Sequence, residues 1–179
     1  MMFFLLLFIS FKTYAHSLIM EPFAGYNFYG KSGYAEKYDT TGYTYGGRFG
    51  YTNKGVFALI DFNLSQLDRK VINESAFANE LGLVLGMKFS LDSRAWAGAV
   101  IAGVFEDDEV GTLKGANGYK FGLGHRIYDY LYINFEVKTM KYNSYDAMAF
   151  SDFRHSTATL TLSYAYEVEI KKVRKYFDF

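Results

Sequence analysis

The feature that most constrains this chain is a two-residue alternation of apolar and polar side chains, repeated in eight separate runs between Leu18 and Ile170. Successive side chains of a β-strand point to opposite faces, so each run reads as a strand with one apolar face. The runs cover 18–29, 42–51, 56–64, 79–89, 95–105, 118–126, 131–142 and 156–170. In the third, Val56, Ala58, Ile60, Phe62 and Leu64 oppose Asp61 and Asn63; in the eighth, Ala158, Leu160, Leu162, Tyr164, Tyr166 and Val168 oppose Thr157, Thr159, Thr161, Ser163 and Glu167. The fifth run is apolar or small at both parities, which leaves its facing open. Most runs approach the roughly 9–11 residues that a tilted strand needs to cross a bilayer, against about 5–6 in globular sheets.

The connections alternate in length. Segments 30–41, 65–78, 106–117 and 143–155 are long and polar, whereas 52–55, 90–94 and 127–130 are short. In an up-and-down barrel alternate connections share an end, so tight turns gather at one end and extended loops at the other. An even strand number puts both termini at the tight-turn end. The fold expected is therefore all-β: an eight-stranded antiparallel up-and-down transmembrane β-barrel.

The apolar face could look inward, as in a soluble carrier, or outward into lipid. Two observations favour outward. The polar face carries five acidic and five basic residues, Glu21, Asp61, Glu80, Glu136, Glu167, Arg48, Lys88, Lys120, Arg126 and Lys138, a balance suited to pairing across a closed lumen. That face is also rich in Gly, which would only weaken a solvent-exposed strand but makes room in a narrow interior. Aromatics agree: Tyr26, Phe28, Tyr43, Tyr45, Tyr51, Phe89, Trp96, Tyr119, Tyr164 and Tyr166 lie near run ends on the apolar face, as expected of an interfacial girdle.

The ends read differently. Met1 to Phe11 is almost wholly apolar and too short to span a bilayer as a helix, and Thr13-Tyr14-Ala15 then places small residues at the −3 and −1 positions before His16. Residues 1–15 therefore read as a secretory signal peptide, although Lys12 follows the apolar run and no basic residue precedes it. Residues 16–170 hold the barrel, and 171–179 form a basic tail ending in Phe. No Cys is present, which removes disulfides, thiolate chemistry and N-terminal Cys lipidation. Lys+Arg and Asp+Glu balance at 19 each, so no electrostatic footprint for nucleic acid exists.

The signal peptide, the eight runs, the Glu21-Pro22-Phe23-Ala24-Gly25-Tyr26 opening and the Gly-rich strands resemble the small OmpA/OmpX-type outer-membrane β-barrel family across the mature chain. The resemblance implies a place in the outer membrane of a Gram-negative cell with periplasmic termini. It also implies contact with outer-membrane lipid and lipopolysaccharide, and recognition of the C-terminal Phe179 by the barrel-assembly machinery. Phe179 departs from the family pattern, because the eighth run loses its parity at Lys172 and the basic stretch Lys171-Lys172-Val173-Arg174-Lys175 intervenes.

A search for chemistry finds little. The three His are His16, His125 and His155. His155, Ser156 and Asp152 can be drawn as a triad, but adjacent strand residues point to opposite faces. Glu106-Asp107-Asp108-Glu109 is an acidic run without the spacing of a calcium loop and reads as a solvated segment. No phosphate loop, zinc motif or cofactor fingerprint is present. The function expected is that of a non-enzymatic barrel with a charge-paired, plugged lumen, adding membrane integrity and presenting four external loops. The alternatives are a narrow channel for small solutes, a lipocalin-like carrier of an apolar ligand, and a lipid A acyl-modifying enzyme.

Overall fold

The computed structural model describes residues 17–33, 37–69, 74–107, 111–145 and 148–170. The signal segment 1–15, the tail 171–179 and Phe179 lie outside the described residues. The strands are β1 (Ser17–Gly33), β2 (Lys37–Asn53), β3 (Val56–Arg69), β4 (Glu74–Lys88), β5 (Ser93–Asp107), β6 (Gly111–Tyr128), β7 (Leu131–Tyr145), β8 (Met148–Tyr164) and β9 (Tyr166–Glu169), the last continuing β8 beyond Ala165. From β1 to β8 each strand pairs antiparallel with the next, and β1 pairs with β2 on one side and with β8 and β9 on the other. The sheet therefore closes into an eight-stranded antiparallel barrel without a free edge.

The tight-turn end follows from local chemistry. Lys54 and Gly55 both have positive φ, 49° and 85°, the signature of a two-residue hairpin turn whose twist matches its strands. Tyr130 also takes a positive φ, 61°, which is unusual for a bulky residue. Its carbonyl accepts the Ala165 amide at 2.7 Å, at the break between β8 and β9, and its ring packs against Tyr164 and Tyr166.

The strands run 14–18 residues in β1 to β8, longer than the alternating runs. The long polar segments, expected as loops, are mostly strand: β1 continues to Gly33 and β2 begins at Lys37. The reason is an inversion of polarity along the barrel. Over one zone the outward positions are apolar, for example Val56, Ile60, Phe62 and Leu64 on β3, Leu81, Leu83, Leu85 and Met87 on β4 and Leu160, Leu162 and Tyr164 on β8, while the inward positions carry most of the buried charges beside a small apolar cluster of Ile19, Phe57, Leu59, Val84 and Trp96. Val56 to Leu64 spans about 27 Å along the strand and, at a tilt of roughly 40°, about 21 Å along the axis, close to the apolar height of an outer-membrane barrel. Beyond it the outward positions turn polar: Lys31, Asp39, Gln66, Asp68, Glu106, Lys114, Lys141 and Arg154. There the inward positions turn apolar, in a cluster of Leu67, Ala76, Ala78, Val100, Phe105, Leu113, Ala116, Met140, Tyr142 and Phe153. The exposed Phe77 is an exception on the polar exterior.

Strand five owes its double parity to a register shift. Gly82 pairs with Val100 but Leu81 pairs with Ala102, so Ile101 is the extra residue. Trp96 and Val100 face inward before it and Phe105 faces inward after it, so even and odd positions exchange faces at the bulge.

Candidate functional site

The interior of the apolar zone is filled by an ion-pair network centred on Arg48. Inward parity on β1, β2, β3, β4, β6 and β7 delivers Glu21, Arg48, Asp61, Glu80, Lys120, Glu136 and Lys138 to the lumen, each 5% exposed or less. Arg48 Nη2 donates to Glu136 at 2.7 Å, Nη1 reaches Glu21 at 3.4 Å, and Nε lies 3.4 Å from Asp61. Its guanidinium sits 4.8 Å from the ring centres of both Phe23 and Trp96. Lys120 donates to Asp61 and lies 3.8 Å from Glu136. Lys138 donates to both oxygens of Glu80 at 2.7 Å.

Two buried cations were not legible in the alternating runs. Arg94, in a segment read as a turn, donates to both oxygens of Glu21 at 2.7 and 2.5 Å and to Asn134 at 2.9 Å, with its guanidinium 4.0 Å from the Tyr132 ring centre. Arg69, in a segment read as a loop, is 1% exposed and lies over Tyr38 at 5.0 Å. Continuing the odd parity of Asp61 and Asn63 through Ser65 and Leu67 reaches Arg69, which was the available clue.

The structure corrects two placements. Trp96 is not interfacial: it is 5% exposed and faces the lumen, where its Nε1 donates to Glu136 at 3.1 Å. The indole fits because Gly122 is opposite; a Cβ there would stand 2.2 Å from the ring. Arg126 is not lumenal: it is half exposed at the tight-turn end, bonded through Nε and Nη2 to Asp92 at 2.9 and 2.6 Å. At that end β6 shifts register between Arg126 and Tyr128, and parity no longer governs facing. Lys88 and Glu167 pair with each other, partly exposed at the same end rather than deep inside.

The other aromatics predicted on the apolar face lie there: Tyr26, Phe28, Tyr43, Tyr45, Phe89, Tyr119, Tyr164 and Tyr166 are 42% exposed or more, and Tyr51 is half-buried. Tyr26 and Tyr43, opposed in register, meet edge to face at 5.3 Å. Outside the network, Ser93 Oγ and His125 Nδ1 share a hydrogen bond of 3.0 Å on an exposed surface. His155 is fully buried and faces inward, while Ser156 Oγ bonds Thr139 on the outer face, so this pair does not assemble. Of the acidic run, Glu106 is exposed, and no group of side chains able to hold a metal ion occurs among the described residues.

No family model and no curated protein matches this sequence. Solved structures do match. Neisserial surface protein A is 10% identical, over 84% of this chain and 97% of that one, with a TM-score of 0.57. Ail, the attachment invasion locus protein of Yersinia pestis, solved with the heparin analogue sucrose octasulfate, is 12% identical over 85% of this chain and 99% of that one, also at 0.57. At such identities the likeness is one of fold. The closed eight-stranded antiparallel barrel with an outward apolar belt is the fold of the small outer-membrane β-barrels.

Proposed function

We propose that this protein is a non-enzymatic integral outer-membrane barrel, plugged by its own ion pairs, with periplasmic termini and with strand extensions presented outside the cell for surface interaction. The observation that carries the reading is the buried network: four acids and four bases, Glu21, Asp61, Glu80, Glu136, Arg48, Arg94, Lys120 and Lys138, interlocked across the lumen at 5% exposure or less. Eight strands enclose only enough space for side chains. Side chains paired across that space leave little room for a continuous water column.

The outward belt supports a lipid setting over a soluble carrier, which would turn its apolar face inward. Above the belt, Lys31, Lys114, Lys141 and Arg154 lie on the four adjacent strands β1, β6, β7 and β8. These basic residues, just beyond the apolar belt, support contact with phosphorylated glycolipid of the outer leaflet. The separation of His155 and Ser156 onto opposite faces supports a non-enzymatic role. Recognition of Phe179 by the assembly machinery belongs to this proposal as well.

The test is membrane fractionation with electrophoresis of boiled and unboiled samples, followed by planar-bilayer recording. Recovery in the outer membrane, a heat-dependent mobility shift and no stable conductance are expected. A soluble periplasmic protein would overturn the membrane reading, and large stable single-channel conductance would overturn the plug.

A further inference from the structure

A groove of about 360 Å³ opens on the outer face near the tight-turn end, across β5, β6, β7 and β8. It lies between two rows of outward side chains. Ser93, His125 and Ile133 oppose one another in register on the side of the turns. Leu123, Phe135 and Leu160 form the next outward row, further into the belt. Between the rows Gly124 and Asn134 face inward: a Cβ on Gly124 would stand 2.5 Å from Asn134 Oδ1 and 2.8 Å from Arg94 Nε. The floor there is therefore backbone. Phe89, from the β4–β5 turn, flanks the β5 end, its amide bonded to the Ser93 carbonyl at 3.1 Å.

The groove has an apolar length and one polar end. Leu123, Phe135, Leu160 and Phe89 are its apolar walls. A recess in a lipid-facing belt forfeits dispersion contacts unless it is filled, and water finds few partners against such walls. The recess crosses four strands, about 14 Å at the usual strand spacing, which suits a flexible chain better than a compact solute. It also runs from the rim into the belt. Ser93 and His125 stand beside the β4–β5 turn and the register shift that ends β6, whereas Leu160 has Leu162 and Tyr164 between it and the end of β8. The exposed polar side chains of the groove are at the rim, where Ser93 Oγ meets His125 Nδ1 at 3.0 Å. With that hydroxyl donating to Nδ1, the ring proton sits on Nε2, which donates to a further acceptor. Beside it, Arg126 commits Nε and Nη2 to Asp92, a pair without net charge. A hydrogen-bond acceptor at the rim joined to a long apolar chain in the belt is the constitution of a membrane lipid. A phosphate oxygen is the strongest acceptor such a lipid brings to that height.

We propose that this groove binds one diacylglycerophospholipid of the leaflet at the tight-turn end, an acyl chain lying against Leu123, Ile133, Phe135 and Leu160 and the phosphate accepting from His125 Nε2. The inference rests on the lipid-embedded reading of the belt. The test is titration of the full chain, refolded in maltoside micelles, with dimyristoylphosphatidylglycerol, followed by native mass spectrometry. A single saturating adduct is expected. His125→Ala should weaken it about tenfold, the loss of one hydrogen bond to a charged group. Dimyristoylglycerol, which keeps the chains and lacks the phosphate, should bind more weakly by at least that factor. Ile133→Trp, which fills the groove, should abolish the adduct, and Phe62→Trp, outward on β3, should leave it intact. Each variant should keep the heat-dependent gel shift. Adducts that accumulate without saturating on a chain that keeps its gel shift would overturn the site and leave the membrane reading standing. A chain without the shift, soluble without detergent, would overturn both. Equal binding of dimyristoylglycerol would remove the phosphate contact and the proposal with it, and saturation unaltered by Ile133→Trp would put the lipid elsewhere. Should Ile133→Trp fail to fold, His125→Ala and the phosphate-free lipid decide alone.

Discussion

The pair Lys138–Glu80 gives the sharpest test of a dry lumen. Both side chains are 1% exposed, and the ammonium meets the two carboxylate oxygens at 2.7 Å. Arg48 can be removed with each of its acids keeping a second donor, because Glu21 retains Arg94, Asp61 retains Lys120, and Glu136 retains Trp96. Lys138 is different, since it supplies both donors to Glu80. At 2.7 Å the Coulomb term is roughly 6 kcal/mol for an effective dielectric of 20 and about 1.5 kcal/mol for that of water. After desolvation, removing one member of a buried pair costs about 3–5 kcal/mol, because the survivor is stranded. Lys138→Met should therefore destabilise by that amount. Glu80→Gln should cost somewhat less, since the amide oxygen can still accept from Lys138. The double variant should recover most of the loss, with a coupling of at least about 2 kcal/mol. Urea unfolding in phospholipid vesicles, followed by the emission of Trp96, supplies all four corners of the cycle. Single losses below about 1 kcal/mol with no coupling would mean a water-screened lumen, and the plugged-barrel reasoning would fall with it.

Two further outcomes follow from which way side chains face. Trp96 is the sole tryptophan and is turned into the lumen, so brominated acyl chains at any depth should leave its emission nearly unquenched. Strong quenching would put the indole back on the lipid face. An arginine scan along the outward positions of β3 should give a depth profile: Ile60→Arg, in mid-belt, costs about 2–4 kcal/mol, Leu64→Arg less, and Gln66→Arg close to zero. A flat profile in the same unfolding assay would mean that no apolar solvent surrounds the belt.

Much of the architecture was open to reading because strand alternation is a property of the backbone, and one buried or lipid-facing side turns it into a visible pattern. Glu21, Arg48, Asp61, Glu80, Lys120, Glu136 and Lys138 could be placed inside from parity alone. What escaped reading shares one physical cause, the loss of a fixed phase. Ile101 inserts a residue into β5, so a phase counted from Ala95 fails beyond it. Trp96 was assigned by its chemistry, as an interfacial aromatic, in the one run where parity gave no guidance. Arg126 lies where β6 ends and shifts register, so its apparent phase no longer carries to its partner strand. The buried polar group around His155 was invisible for a different reason. Thr40, Ser32 and His155 sit in or beside segments whose polar composition imitates loops, and only pairing across β8, β1 and β2 brings them together.

That imitation has a general origin. A barrel that crosses from lipid into water passes between two solvents on its outside, while its inside stays enclosed throughout. The outward residues must then change from Leu64 to Gln66 and Asp68 over two turns of the pleat. The inward residues are free of that demand and can change from Asp61 to Leu67, since beyond the belt an apolar core is again the cheapest way to fill a barrel wrapped in water. A search for apolar alternation with a single assigned face stops at the crossing and reports a loop. A search that lets the apolar phase exchange sides once per strand would have carried β3 to Arg69 and β8 back to Phe153. It would also have shown that the polar-to-apolar seam inside the barrel, where Thr157, Thr40 and His155 sit, lies beside the seam outside it.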